Sequence, residues 1–489
     1  MQYIIGIDQS TQGTKVMLFD GQGDMLLRLD KPHAQLIDQR GWVEHDPEEI
    51  YRNLIELIGG LMAQSGINPA DVAAIGISNQ RETAMAWYRD SGKPVYNAIV
   101  WQCARAEAIC KRIEQTGCAE DVRARTGLRL SPYFSAAKLA WIMENVPGVK
   151  ERADMGNVCC GTMDSYLVFR LTHGEQFRTD YSNASRTQLF NITTLRWDET
   201  LCGLFGIPLK CLPEVTDSDG LFGMTDCQGL LPHPVPIHGV LGDSHGALLG
   251  QGCRARGMMK TTYGTGSSIM MNIGDKPIFS DLGLVTSLAW KLGGKAEYVL
   301  EGNINYTGAV ITWLKDDMKL LESAGQSEAM ARAANPADRT YLVPAFSGLG
   351  APYWRSDVSA AIIGMSRTTG RNEVVRAGLA CIAYQIADIV LLMQKEAGID
   401  HIELRVDGGP TRNGWLMQFQ SDILACPVMV PQAEELSGIG AAYAAGLGVG
   451  LYGEEVFSRA VYQPFNPQME QEERTALYRG WKAAVDSIL

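Results

Sequence analysis

The first hundred residues switch the period of their apolar positions twice. Residues 3–8 (YIIGID), 15–20 (KVMLFD) and 24–29 (DMLLRL) are short apolar runs separated by Gly-rich turns, with Asp20-Gly21 and Gln22-Gly23 marking the second turn. They predict three consecutive strands, a meander rather than a strand-helix-strand start. A helix is then announced by Asp46 as N-cap, Pro47 at the first helical position and Glu49 three residues on to complete a capping box. Ile50, Leu54, Leu57, Ile58 and Leu61 follow at helical spacing and define one buried face. Residues 73–78 (AAIGIS) return to an apolar strand, so the chain opens as an α/β layer.

A second cycle begins near residue 250. Residues 257–266 and 267–272 predict a glycine-hinged hairpin, with strands near 284–290 and 296–301. Beyond them, 341–345 reads as a strand, 373–396 as a long helix, 402–406 as a buried strand ending at Asp407-Gly-Gly409, and 437–446 as a small-residue helix. Both halves start with a strand hairpin around a Gly/Thr turn beside an acid. At 489 residues the chain is too long for one core, and a boundary near residue 248 divides it into 1–248 and 249–489.

Composition narrows the partners. Apolar residues make up 46% and charged ones 20%, an ordinary globular balance. A net charge of −12 argues against a nucleic-acid partner. No secretory signal opens the chain, and the longest low-charge stretch, 436–450, is too short to span a bilayer. Eleven cysteines without a C-x-x-C pair fit a reducing cytoplasm, with Cys159-Cys160 as packing.

Chemistry concentrates at strand ends. Asp243 follows the apolar run 239–242, where a carboxylate can accept a proton from a substrate hydroxyl. Tyr263-Gly-Thr-Gly266 offers unobstructed backbone N–H groups, and Thr265 a hydroxyl, to a phosphate. Asp8-Gln-Ser-Thr-Gln-Gly-Thr-Lys15 is a comparable turn: Ser10, Thr11 and Gln12 lie within it, Lys15 adds charge, and Asp8 can hold Mg²⁺ through water. Alone such a turn is common; the pair carries the weight. Arg81-Glu82 at the end of strand 73–78 can grip adjacent hydroxyls, or form a surface ion pair. Trp101 and Tyr133 either line a polyol or pack in the core. Gly409 and Asn413, at a strand-to-helix turn, let a nucleotide approach the backbone. As the base, Asp243 competes with His245; a carboxylate is the usual acceptor of an alcohol proton in kinases.

Together these residues resemble the FGGY family of carbohydrate kinases, and within it the glycerol kinases. The resemblance rests on blocks along nearly the whole chain: 41–47 (GWVEHDP), 76–83 (GISNQRET), 92–103, 133–141 (YFSAAKLAW), 179–187 (TDYSNASRT), 344–354 (PAFSGLGAPYW) and 417–424. It implies two actin-like, ribonuclease H-like α/β ATPase domains with an interdomain cleft, the first binding a polyol or sugar and the second ATP with Mg²⁺. It also implies Asp243 as base, and suggests a homodimer.

Two departures bear on the acceptor. Ser244 stands where glycerol kinases have the glutamine that binds a terminal hydroxyl, and Ser268 where they have a phenylalanine against the glycerol carbons. Both remove bulk, so the expected acceptor is a polyol or ketose longer than glycerol. The alternatives are glycerol itself, or an actin-like ATPase with no small-molecule acceptor.

Overall fold

The computed structural model describes every residue except His401. Its first half is built on a six-stranded sheet of β1 (Tyr3–Gln9), β2 (Gly13–Phe19), β3 (Met25–Pro32), β4 (Val72–Asn79), β5 (Gly223–Thr225) and β6 (Val235–Gly242), in the order β5-β6-β4-β1-β2-β3. The meander β1–β3 is antiparallel, while β4 and β6 run parallel to β1. Helix α1 (Pro47–Ser65) covers one face with Ile50, Leu54, Leu57, Ile58 and Leu61 buried, the stripe its spacing predicts. Asp46 caps it by accepting from Glu48 N at 2.9 Å. The expected capping box is not made: Glu49 reaches across to Ala34 N at 3.2 Å, fastening the loop after β3 instead of its own helix start. A second antiparallel sheet, joining residues 36–37, 43–45, 98–99, 84–88 and 158–162, is inserted into this half.

Helix α2 (Asp243–Gly250) leaves the end of β6 and leads to a seven-stranded sheet of β7 (Met258–Tyr263), β8 (Ser267–Gly274), β9 (Val285–Leu292), β10 (Lys295–Ile304), β11 (Glu403–Asp407), β12 (Val428–Pro431) and β13 (Tyr462–Phe465), in the order β9-β10-β8-β7-β11-β12-β13. Again an antiparallel hairpin, β7–β8, is followed by parallel neighbours, β11 and β12. Helix α3 (Arg371–Ala397) is long and apolar enough to cross a membrane, yet 72% of its apolar window is buried inside the second half. Its Asp388 carboxylate accepts from the hydroxyls of Tyr353 (2.8 Å) and Tyr478 (2.5 Å) and from Trp481 Nε1 (2.9 Å), which ties the helix at 471–486 to the core. Helix α4 (Gly414–Leu424) starts at Asn413, whose side chain accepts from Leu416 N at 3.0 Å.

Helix α5 (Leu436–Gly448) belongs to the second half by sequence but packs on the first sheet. It crosses α2 at backbone distance: a Cβ added at Gly440 would lie 1.9 Å from Gly246 O, and one at Gly76 on β4 would lie 2.3 Å from Ala441 O. Only glycine permits so close an approach. The boundary expected at residue 248 therefore falls inside α2, at the contact where α5 joins both halves.

The halves also meet along an extended seam. Thr286 N donates to Gly127 O (3.1 Å), Leu288 N to Ser185 Oγ (3.1 Å), and Ser218 N to Lys291 O (2.7 Å). One apolar cluster runs through it, including Tyr181, Phe190 and Ile192 from the first half and Ile269, Leu288 and Tyr298 from the second.

Candidate functional site

Strand ends of both sheets converge on this seam. β6 ends at Gly242 and Asp243 opens α2, with its side chain 35% exposed and Oδ1 3.1 Å from Arg81 Nε. Arg81 follows β4, and its stem lies across Gly242, where an added Cβ would meet Arg81 Cγ at 2.7 Å. The turn that delivers it is tight: Thr83 N donates to Arg81 O at 2.7 Å, and Glu82 takes φ +58°. That left-handed conformation costs a non-glycine residue on the order of 1 kcal/mol and is typical of side chains aimed for a purpose.

Neither Arg81 nor Glu82 is a surface ion pair. Arg81 Nη1 and Nη2 donate to Glu301 on β10 at 3.0 and 3.2 Å, and Glu82 accepts from Arg186 Nε at 2.6 Å. Arg186 Nη1 also stands 2.9 Å from Glu301. All four side chains are 6% exposed or less. Burial pushes the Glu301 carboxyl up, but the Arg186 and Arg81 guanidinia outweigh it and hold the group far below the usual carboxylate range. The contacts to Asp243 and Glu301 use three of the five Arg81 N–H groups and leave two.

Trp101 and Tyr133 form one wall beside this network. Their rings meet edge to face at 5.5 Å, and Trp101 Nε1 donates to Thr11 Oγ1 at 2.9 Å, joining the wall to the first Gly/Thr turn. The loop bearing Tyr133 is fastened by the buried Lys138, whose ammonium donates to the carbonyls of Pro132 (2.8 Å), Tyr133 and Phe134 (3.2 Å). Burial, reinforced by the Glu82 carboxylate, pushes the Tyr133 phenol up. Ser244 N donates to Asp243 Oδ1 at 2.6 Å, and Ser268 Oγ faces Glu301 Oε1 at 3.5 Å. His245 is fully buried with Nε2 3.3 Å from Ser287 Oγ; burial and the Arg81 charge push its imidazole well below its ordinary range, so it is neutral.

A cavity of about 550 Å³ lies beyond, lined by Lys15, Thr262, Asp407, Gly408, Gly409 and Glu435 among others. Its lining takes Lys15 from the first Gly/Thr turn and residues 407–409 from the third, together with residues 430–437. Gly408, at φ +98°, packs against Tyr263, where a Cβ would sit 2.0 Å from the carbonyl oxygen, so the 407–409 and 263–266 turns stand side by side. Thr265 O accepts from Thr307 N and Ala309 N (2.9 and 3.1 Å), fixing this turn at the start of the helix Gly308–Asp316. Ser10 Oγ donates to Gly13 O at 3.0 Å, so its hydroxyl proton closes the first turn, while Gln12 is exposed. Lys15 Nζ pairs with Glu435 at 2.5 Å. A second cavity, about 500 Å³ and more apolar, shares Gly409 and Arg412 with the first and includes Asn413, Ile311 and Leu416. Asn413 contributes there as a helix cap rather than through a free amide.

Asp8 lies 5% exposed where the two sites meet, accepting from Ser78 Oγ at 3.1 Å. Burial raises its carboxyl to about 6; Lys15 opposes this, and the carboxylates of Asp243 and Glu435 add to it. Among the described residues no three metal-binding side chains cluster. Asp8 nonetheless suits a divalent ion held through water and phosphate oxygens, because a buried carboxylate facing two others gains from a cation between them.

Glu301, Arg186, Lys138 and Glu435 were not identified as functional in the sequence. Arg186 lies in the quoted block 179–187, but Glu301 and Glu435 sit in stretches without a local signature, and only the tertiary fold brings them to Arg81 and Lys15.

Two sheets of like topology, each presenting a Gly/Thr hairpin turn to a shared cleft with a carboxylate at a strand end, define a phosphoryl-transfer enzyme of the actin-like class. The chain belongs to the FGGY family of carbohydrate kinases, ATP-dependent phosphotransferases with an alcohol group as acceptor: that family's N-terminal domain matches residues 3–250 and its C-terminal domain residues 259–449. It is 48% identical to glycerol kinase 1 of Thermotoga maritima over 490 residues, covering 100% of this chain and 99% of that protein. It is 45% identical to the glycerol kinase of Caldanaerobacter subterraneus subsp. tengcongensis, covering 100% and 99%. The crystal structure of Plasmodium falciparum glycerol kinase with ADP superposes with a TM-score of 0.95 at 36% identity, covering 100% of this chain and 98% of that one. A gluconate kinase from Lactobacillus acidophilus shares the fold, with a TM-score of 0.89 at 22% identity over 99% and 97%.

Proposed function

We propose that this protein transfers the terminal phosphoryl group of ATP to a terminal hydroxyl of glycerol. The observation that supports this most directly is Asp243, partly exposed at the strand end and held by Arg81 in a chain matched end to end by glycerol kinases. Asp243 accepts the hydroxyl proton as the acceptor oxygen bonds to the γ-phosphorus and the bond to the β-phosphate oxygen breaks. Arg81, Glu82, Trp101, Tyr133 and Ser244 orient the acceptor, with Ser268 at its edge. Thr11, Gln12, Lys15, Thr265 and Gly266 face the phosphates from the two hairpin turns, Ser10 shapes the first, and Gly409 and Asn413 border the nucleoside. Mg²⁺ near Asp8 would neutralise phosphate charge. The rate advantage comes from positioning and from donors already in place. In this reading residues 1–248 carry the acceptor site and 249–489 most of the nucleotide site.

The longer acceptor expected from Ser244 and Ser268 finds no support among the full-length relatives, which are glycerol kinases. Ser268 also turns its hydroxyl toward Glu301 rather than opening an unlined space. Membership of a carbohydrate kinase family speaks against an ATPase without an acceptor. The test is ADP release from ATP-Mg²⁺ with glycerol and with polyols and ketoses of four to six carbons. The highest kcat/KM on glycerol is expected; a tenfold preference for a longer acceptor would overturn the choice of substrate, and no acceptor-dependent turnover the reaction itself.

A further inference from the structure

On β10, Glu301 and Asn303 share one face while Gly302 points the other way into Ile389. Asn303 stands opposite Ser268 of β8, and its Nδ2 donates to Glu301 Oε1 at 3.3 Å. The second sheet thus presents a small polar patch with a fully buried carboxylate at its centre. That carboxylate receives the Arg81 fork and stands 2.9 Å from Arg186, both from the first half. Arg81 then passes the constraint on through Nε to Asp243 at 3.1 Å.

We propose that Glu301 is the positioning residue of the acceptor site. From the nucleotide-bearing half it fixes the Arg81 guanidinium, so that the two remaining Arg81 N–H groups are held for acceptor hydroxyls while Nε stays on Asp243. This rests on the reading of Asp243 and Arg81 as the acceptor-handling pair. The charges show why the carboxylate matters. With Glu301, two guanidinia face three carboxylates: Glu301, Glu82 and Asp243. Without its charge, Arg81 keeps Asp243 and Glu82 as its only anionic neighbours, and its fork swings toward them and away from the acceptor. Arg186, already committed to Glu82, is left partly uncompensated in a dry site. A structural ion pair alone would cost stability when broken; a positioning residue also costs acceptor affinity, and the two effects are separable.

The experiment compares wild type, Glu301→Gln and Glu301→Asp in steady-state transfer to glycerol, alongside melting temperature. Arg186 is left in place because it also holds the buried Glu82. Glutamine keeps the shape and removes the charge, so acceptor KM is expected to rise at least tenfold while the KM for ATP stays within twofold. Aspartate keeps the charge on a shorter stem, so acceptor KM is expected to rise less than with glutamine, by about threefold. If Glu301→Gln gives no soluble protein, Glu301→Asp is read alone against wild type. A wild-type acceptor KM in Glu301→Gln, or in Glu301→Asp where that variant is read alone, or a KM for ATP that rises as much as the acceptor KM, overturns the proposal and leaves Glu301 a structural residue. A wild-type enzyme without turnover on any polyol or ketose overturns the functional reading and this proposal together; an active wild type with an indifferent Glu301→Gln overturns this proposal alone.

Discussion

Asp8 holds its proton more tightly in the folded protein than a free aspartate does, and this makes a measurable claim. Its carboxyl is raised from 3.8 to about 6, chiefly by burial. The folded state therefore binds the proton more strongly than the unfolded chain between these values. The favourable contribution is complete below pH 3.8 and is lost as pH rises through 6. Above pH 6 the ionised carboxylate burdens the metal-free fold by about 3 kcal/mol. At 5% exposure, solvent screens little of this. Asp8→Asn keeps an acceptor for Ser78 Oγ and removes the charge. The variant should be more stable than wild type at pH 7.5 in EDTA by up to about 3 kcal/mol, roughly 6 °C of melting temperature for a unit of ~250 residues. The advantage should shrink steadily as pH falls from 6.5 to 4.5. Mg²⁺ with ADP should stabilise wild type more than the variant, and the variant should be nearly inactive. Scanning calorimetry from pH 4.5 to 8, with and without Mg²⁺-ADP, measures all of this. A variant no more stable than wild type at pH 7.5, or an advantage independent of pH, would refute the argument.

Asp243→Asn should lower turnover by a factor on the order of 10² to 10⁴ with the KM for ATP little changed, read by coupled ADP release. Asp388→Ala strands the hydroxyls of Tyr353 and Tyr478 and the Trp481 N–H in the core of the second half. It should cost on the order of 3 kcal/mol in urea unfolding, while turnover of the folded protein in the absence of urea stays near wild type. Gly440→Ala places a Cβ 1.9 Å from Gly246 O, where only backbone can yield. It should lower the melting temperature by several degrees or prevent soluble expression, and an unchanged melting temperature would contradict the helix crossing.

Much of the frame is legible in the residues. The meander β1–β3, the buried stripe of α1, the hairpin β7–β8 and the apolar length of α3 follow from period and turn chemistry, which act over a few residues and need no partner. The same local signals put Asp243 at a strand end and glycines at the phosphate turns. Where a nearby residue competes with a distant one, local reading goes astray: Glu49 stands where a capping box needs it, yet it binds Ala34, which the fold carries to the helix start. The small-residue pattern of α5 signals a close approach but not its partner, which is the first sheet and α2 rather than the half the sequence assigns it to. The site shows the limit most plainly. Arg81 is visible as a basic residue after a strand, but its partner Glu301 is 220 residues away on another sheet. Sequence spacing carries no information about that distance. The cost of burying a charge alone decides that each guanidinium must meet a carboxylate, and only the docking of two sheets decides which carboxylate that is.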